Sequence, residues 1–171
     1  MLYDGDGFKI NKKKAARYFR MAADKGYVKA MCKYADILKC GDGIKANIDK
    51  AADYYIKAAN NNDPNGMVGY GLILQIGMGK FKANKEKAAK LFKMAADKGH
   101  VGAMRSFASM LDRGDGIKTD KKEAARYFKM AADQNDKSAI YNYGVMLYND
   151  DSTETNHDEA LKCFKQLFQF E

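Results

Sequence analysis

One short phrase returns along the chain at an almost fixed interval. Ala15-Ala16-Arg17-Tyr18-Phe19 recurs as Ala51-Ala52-Asp53-Tyr54-Tyr55, as Ala88-Ala89-Lys90-Leu91-Phe92 and as Ala124-Ala125-Arg126-Tyr127-Phe128, with a looser copy at Ala160-Leu161-Lys162-Cys163-Phe164. The steps are 36, 37, 36 and 36 residues. A second marker keeps the same beat: Gly5-Asp6-Gly7, Gly41-Asp42-Gly43, Gly77-Met78-Gly79 and Gly114-Asp115-Gly116. Its steps of 36, 36 and 37 put the one extra residue between Gly77 and Ala88, with Lys80 the expected insertion. A period of this length restricts the chain to a repeat architecture, because each unit is too small to bury its own apolar face and needs neighbours to do so.

Within each copy the apolar pattern is helical. Ala15, Tyr18, Phe19, Ala22 and Ala23 form one stripe of an amphipathic helix, termed helix B. Met31, Tyr34, Ala35 and Leu38 form the stripe of a second helix, termed helix A, which returns at Met67, Met104 and Ile140. Asn11, Asn47, Asn84, Asp120 and Asn156 precede the copies of helix B at one repeat position. Their side chains are predicted to cap the first turn, with Glu123 and Glu159 completing capping boxes. Gly26, Asn62, Gly99 and Asn135 mark the far ends, where a left-handed residue is favoured. Pro64 falls in the first turn of a helix A, where a missing N–H costs nothing.

These signals predict an all-α fold, a right-handed solenoid of antiparallel helix hairpins. The chain is expected to be a single array over 1–171, with units of roughly 1–26, 27–62, 63–99, 100–135 and 136–171. Small residues at Ala30, Gly66, Ala103 and Ala139, and at Ala35, Gly71, Ala108 and Gly144, permit close helix approach, while aromatic residues such as Tyr18, Tyr55 and Phe128 fill the layers between. The first unit is truncated and the last is degenerate, with Asp150 and Ser152 replacing the turn glycines, and 150–155 is expected to be a flexible loop. With Leu167, Phe168 and Phe170 apolar at the far end, the chain is expected to be a fragment of a longer array.

Residues for chemistry are few. The two histidines, His100 and His157, have no nucleophile arranged beside them in a recognised pattern and are expected at the surface. Cys32, Cys40 and Cys163 lack metal-ligand or disulfide spacing. Cys32 and Cys40 are expected to share a helix face about 12 Å apart, too far for a disulfide. The Asp4-Gly5-Asp6-Gly7 run lacks the glutamate of a calcium loop, since Ala15 stands in its place. No enzyme, cofactor or metal is therefore expected. Nothing approaches the roughly 18 apolar residues of a membrane helix, and the first residues run into charge, so no signal peptide is expected. Free thiols and the absence of any Asn-x-Ser/Thr acceptor point to a cytoplasmic protein.

The units resemble those of the Sel1-like repeat family, which is itself similar to tetratricopeptide repeats but has longer units. Ala103-Met104-Arg105-Ser106-Phe107-Ala108-Ser109-Met110-Leu111 matches the family's helix A. Gly114-Asp115-Gly116-Ile117 matches its turn, and 123–132, from Glu123 to Ala132, matches its helix B. The resemblance implies a protein-interaction scaffold or adaptor. Members serve in endoplasmic-reticulum protein degradation, in regulation of cell-wall synthases and in bacterial signalling, and some are joined to kinase domains, so a fragment of such a signalling protein is an alternative.

By analogy with tetratricopeptide solenoids, helix A lines a concave groove. Its solvent side carries Lys29, Cys32, Lys33 and Asp36 in one copy, Val68 and Leu72 in the next, Arg105 and Ser109 in the third, and Tyr141, Asn142 and Val145 in the fourth. Apolar anchors flanked by Lys and Arg suit an acidic-hydrophobic peptide or protein. The alternative surface is on helix B, where Arg17, Arg20, Lys90, Lys93, Arg126, Lys129, Lys162 and Lys165 recur at two positions. The net charge of +8 is compatible with RNA or an anionic membrane there. Asp53 and Ile56 interrupt that stripe, and aromatic interleaving is absent, so nucleic acid is the weaker reading.

Overall fold

The computed structural model describes residues 11–149 and 154–168. Among these residues the regular structure is entirely helical. The helices in order are α1 (Lys12–Asp24), α2 (Val28–Cys40), α3 (Ile48–Asn60), α4 (Pro64–Ile76), α5 (Lys85–Asp97), α6 (Val101–Arg113), α7 (Lys121–Ala132), α8 (Lys137–Tyr148) and α9 (Glu154–Phe168). Odd-numbered helices are the copies of helix B, and even-numbered helices are the copies of helix A. Two compact units are present, one up to Ala95 and one from Ala96 onward.

The chain ends its helices by local chemistry. Asn11, Asn47, Asn84 and Asp120 each accept the backbone N–H three residues on, at 2.9 Å. Gly26, Asn62, Gly99 and Asn135 all take positive φ, between +60° and +93°. Gly41, Gly77 and Gly114 close the helix A copies in the left-handed region. The second turn glycines meet a further demand in the N-terminal unit. A Cβ on Gly43 would stand 2.6 Å from the Lys12 Cβ, and one on Gly79 would strike the Asp49 carboxylate. Each turn is thus pressed against the start of the preceding helix B. The inserted residue falls in the loop 77–84, where the Lys80 N–H donates to Asp49 Oδ1 at 2.8 Å.

In the N-terminal unit, α2 packs on α1 and α3, and α4 packs on α3 and α2. The alanine pairs 15–16, 51–52 and 88–89 are buried. They let neighbouring helices approach while the large rings fill the remaining space. Tyr55 and Phe92 are buried, each contributing on the order of 1.5–3 kcal/mol by burial. A Cβ on Gly66 would stand 2.6 Å from Ala58, and one on Gly71 would stand 2.9 Å from the Phe92 ring. Those columns of small residues therefore fix how close helix A can sit to helix B.

In the C-terminal unit, α7 packs between α6 and α8, and α9 packs on α8. Tyr127 and Phe128 are buried, and Gly144 receives the Phe164 ring. Edge-to-face pairs recur at matching positions in the two units. Tyr34–Tyr54 and Phe107–Tyr127 both have centroids 5.0 Å apart. Successive copies of helix B are also joined by phenol-carboxylate bonds, Tyr54 Oη to Asp24 at 2.6 Å in one unit and Tyr127 Oη to Asp97 at 2.7 Å in the other.

Several expectations need correction. Asn156 does not cap α9, because that helix begins two residues earlier at Glu154. The expected loop 150–155 therefore ends in helix, and 150–153 lie outside the described residues, as do Gly5, Gly7 and Phe170. Glu159 bonds Lys129 Nζ at 2.7 Å and Tyr143 Oη at 3.0 Å, tying α9 to α7 and α8. Tyr18 is half exposed, unlike the other rings at its position. Cys32 and Cys40 do not share an environment: the first is buried and the second exposed, since eight residues turn a helix by about 80° beyond two full turns.

Candidate protein-binding surfaces

The outer side of helix A is the candidate surface, and its columns differ in what they face. In the N-terminal unit, Lys29 and Lys33 lie one turn apart on α2, and both are exposed. Asp36, one turn further, is half-buried and accepts the Tyr55 hydroxyl at 2.5 Å. The phenol is held protonated well above its usual range, by burial first and by the Asp36 carboxylate second. Val68 and Leu72 on α4 are half-buried. Gly69 between them abuts the Tyr55 ring so closely that any side chain there would overlap it.

Cys32 departs from the groove expectation. It is only 6% exposed, and its thiol donates to Asp63 Oδ1 at 3.3 Å. Burial, reinforced by Asp63, pushes the thiol up to about 12. Asp63 also caps α4, accepting the Gly66 N–H at 3.0 Å. In the C-terminal unit Arg105 occupies the same repeat position and lies beside the cap of α8. Its Nε is 3.3 Å from Asp136 Oδ1, off the hydrogen-bonding direction, so the contact is a charge pairing. Cys32 and Arg105 therefore point at the start of the next helix A within their units rather than at open solvent.

Ser109, Asn142 and Val145 are half-buried in the C-terminal unit. Tyr141 is 55% exposed, its ring tilted against Phe164 at 6.3 Å. It occupies the column of Cys32 and Arg105. Of the expected surface residues Lys29, Lys33 and Tyr141 are exposed, and Asp36, Val68, Leu72, Arg105, Ser109, Asn142 and Val145 are half-buried.

Sequence reasoning missed the helix A caps. Asp63, His100 and Asp136 cap α4, α6 and α8, with His100 Nδ1 accepting the Ala103 N–H at 3.1 Å. Asp63 and Asp136, 73 residues apart at one repeat position, were the available signal.

On helix B the basic positions are exposed but partly neutralised. Lys90 pairs with Glu86 at 2.6 Å and Arg126 with Glu123 at 2.6 Å. Lys129 pairs with Glu159 at 2.7 Å, and Asp53 with Lys80 at 3.4 Å. Among the described residues no helix is long and apolar enough to cross a membrane, and no group of side chains is arranged to hold a metal ion.

Comparison with known proteins agrees with this architecture. The family model described as Sel1 repeat matches residues 1–27, 28–63, 64–100, 102–136 and 137–167. A Sel1 repeat protein from Oxalobacter formigenes is similar in structure, with a TM-score of 0.90 at 25% identity over 99% of this chain and 69% of its own. A protective antigen of uropathogenic Escherichia coli strains, with an SLR fold, gives a TM-score of 0.86 at 23% identity. That match takes in 99% of this chain but only 36% of the antigen. The Helicobacter pylori cysteine rich protein B gives a TM-score of 0.60 at 24% identity, over 79% of this chain and 96% of its own. No curated protein matches by sequence. Sel1 repeats generally serve as non-catalytic scaffolds for protein–protein interaction. With five matched repeats and an all-α solenoid fold, the chain belongs to the Sel1 repeat family.

Proposed function

We infer that this chain is a protein-interaction scaffold that receives a partner segment on the outer faces of its helix A copies. The observation that carries the reading is the contrast between columns. Two helix A columns, 30/66/103/139 and 35/71/108/144, hold only Ala or Gly and are buried in each copy. The outer columns change chemistry from copy to copy and, Cys32 and Gly69 apart, stay open or half-open. A fold needs the first set, and selective binding uses the second. In the N-terminal unit Lys29 and Lys33 beside Val68 and Leu72 suit a segment with acidic residues around an apolar anchor. In the C-terminal unit Tyr141 offers a large amphipathic ring. Free thiols at Cys32, Cys40 and Cys163 support a reducing, cytoplasmic setting.

The test is a peptide selected by display against the full chain, then titrated by calorimetry. Leu72→Glu and Tyr141→Ala are each expected to weaken it by about ten-fold or more, with the melting temperature little changed. Unaltered affinity in both variants would remove the helix A assignment.

A further inference from the structure

The strongest unexplained feature lies on the other kind of helix. In the N-terminal unit a hollow of about 470 Å³ opens beside α1, lined by Lys13, Lys14, Arg17 and Arg20 over an apolar floor that includes Tyr34 and Ile44. The C-terminal unit holds a hollow of about 420 Å³ at the matching repeat positions, lined by Asp120, Lys122, Glu123, Arg126, Lys129 and Tyr143. Tyr143 corresponds to Tyr34, Arg126 to Arg17, Lys129 to Arg20 and Lys122 to Lys13, each 109 residues on. The shape recurs and the charge does not.

The second hollow neutralises itself. Glu123 takes the Arg126 guanidinium through two bonds of 2.8 and 2.6 Å, and Glu159 takes Lys129. In the first hollow Lys14 stands where Glu123 stands, and Asn11 where Asp120 stands, so among the described residues no carboxylate lines it. Among the described residues Lys13, Lys14 and Arg17 have no ion-pair partner. Arg20 approaches Asp24 only at 3.5 Å, and that carboxylate already accepts the Tyr54 hydroxyl. Four cations held around one hollow repel one another, and a ligand bearing carboxylates relieves that repulsion.

We propose that this hollow in the N-terminal unit is a docking site for an acidic peptide segment carrying one apolar side chain. The apolar floor selects a peptide over a bare anion. Its limited extent disfavours a polynucleotide, because the next copy of helix B presents Asp53, paired with Lys80, where α1 presents Arg17. The site is separate from the helix A surface and does not depend on it.

The probe is a short fluorescein-labelled peptide of Asp and Glu around a single Leu, titrated into the full chain at low salt and read by anisotropy. Saturable binding that weakens with added salt is expected. Lys14→Glu should weaken it about ten-fold, and Arg17→Ala should weaken it as well. Lys122→Ala and Leu72→Glu should leave it unchanged. Glu already occupies the Lys14 position in α7, so Lys14→Glu should keep its melting temperature, and Glu123→Lys should add binding to the C-terminal unit. Equal binding by wild type, Lys14→Glu and Arg17→Ala overturns the proposal. So does tighter, Lys14-dependent binding of oligouridylate or of phosphatidylserine vesicles.

Discussion

The Tyr55 phenol and the Asp36 carboxylate show how one residue in a repeat can set the chemistry of another. Where Tyr55 stands, the other copies hold Phe19, Phe92, Phe128 and Phe164, and where Asp36 stands they hold Leu72, Ser109 and Val145. The only phenol in the column coincides with the only carboxylate, because a buried hydroxyl needs an acceptor. Tyr55→Phe should therefore cost about 1–3 kcal/mol, as should Asp36→Leu. The double variant, which copies Phe92 with Leu72, should cost less than the sum, and a double-mutant cycle in urea measures the coupling. Cys32 gives a second residue-scale expectation. Its thiol holds its proton more tightly folded than unfolded, so its contribution to stability is complete below the free-thiol range, near 8.5, and is lost as pH rises towards 12. Ellman's reagent at neutral pH should react with exposed Cys40 promptly and with Cys32 only as the chain opens. Between pH 8 and 10, Cys32→Ala should lose less of its urea midpoint than the wild type does.

At the scale of elements, the starts of α1, α3, α5 and α7 were legible, while the helix A caps and the outward faces were not. Asn11, Asn47 and Asp120 cap by reaching three residues along their own chain, so sequence spacing contains the whole interaction. The environment of Cys32 depends on Asp63, which lies in the next repeat, and spacing within one helix cannot reveal it. Asn156 was misplaced for a related reason: the repeat rule carried a cap into a copy whose helix starts earlier. The glycines separate two causes that sequence alone merges. Gly99 has φ of +86° with nothing near its missing Cβ, whereas Gly69 is helical and pressed against Tyr55. Gly99→Asn should be nearly neutral, since Asn62 and Asn135 hold that conformation already. Gly69→Ala should destabilise by about 1–3 kcal/mol through overpacking. Thermal melts of the two variants side by side make the comparison.

For the whole molecule, the period of the sequence determined the class of fold, because small residues return at the same helix A positions in copy after copy. Function followed less directly. Sel1 repeats generally serve as interaction scaffolds, and the repeat motif encodes the fold rather than a ligand. In the outer helix A columns Lys29, Lys33 and Tyr141 are exposed, and the residues differ from copy to copy. Two kinds of surface result: the helix A faces, and the charged hollow beside α1 that its counterpart in the C-terminal unit has neutralised.

The claim that partners meet the helix A faces is tested most directly by amide and methyl NMR of the full chain with a display-selected binder. The account predicts shift changes centred on the outer sides of α2 and α4 in one unit and of α6 and α8 in the other, including Lys29, Lys33 and Tyr141. Changes confined to the outer faces of α3, α5 and α7, with those residues unmoved, would contradict it.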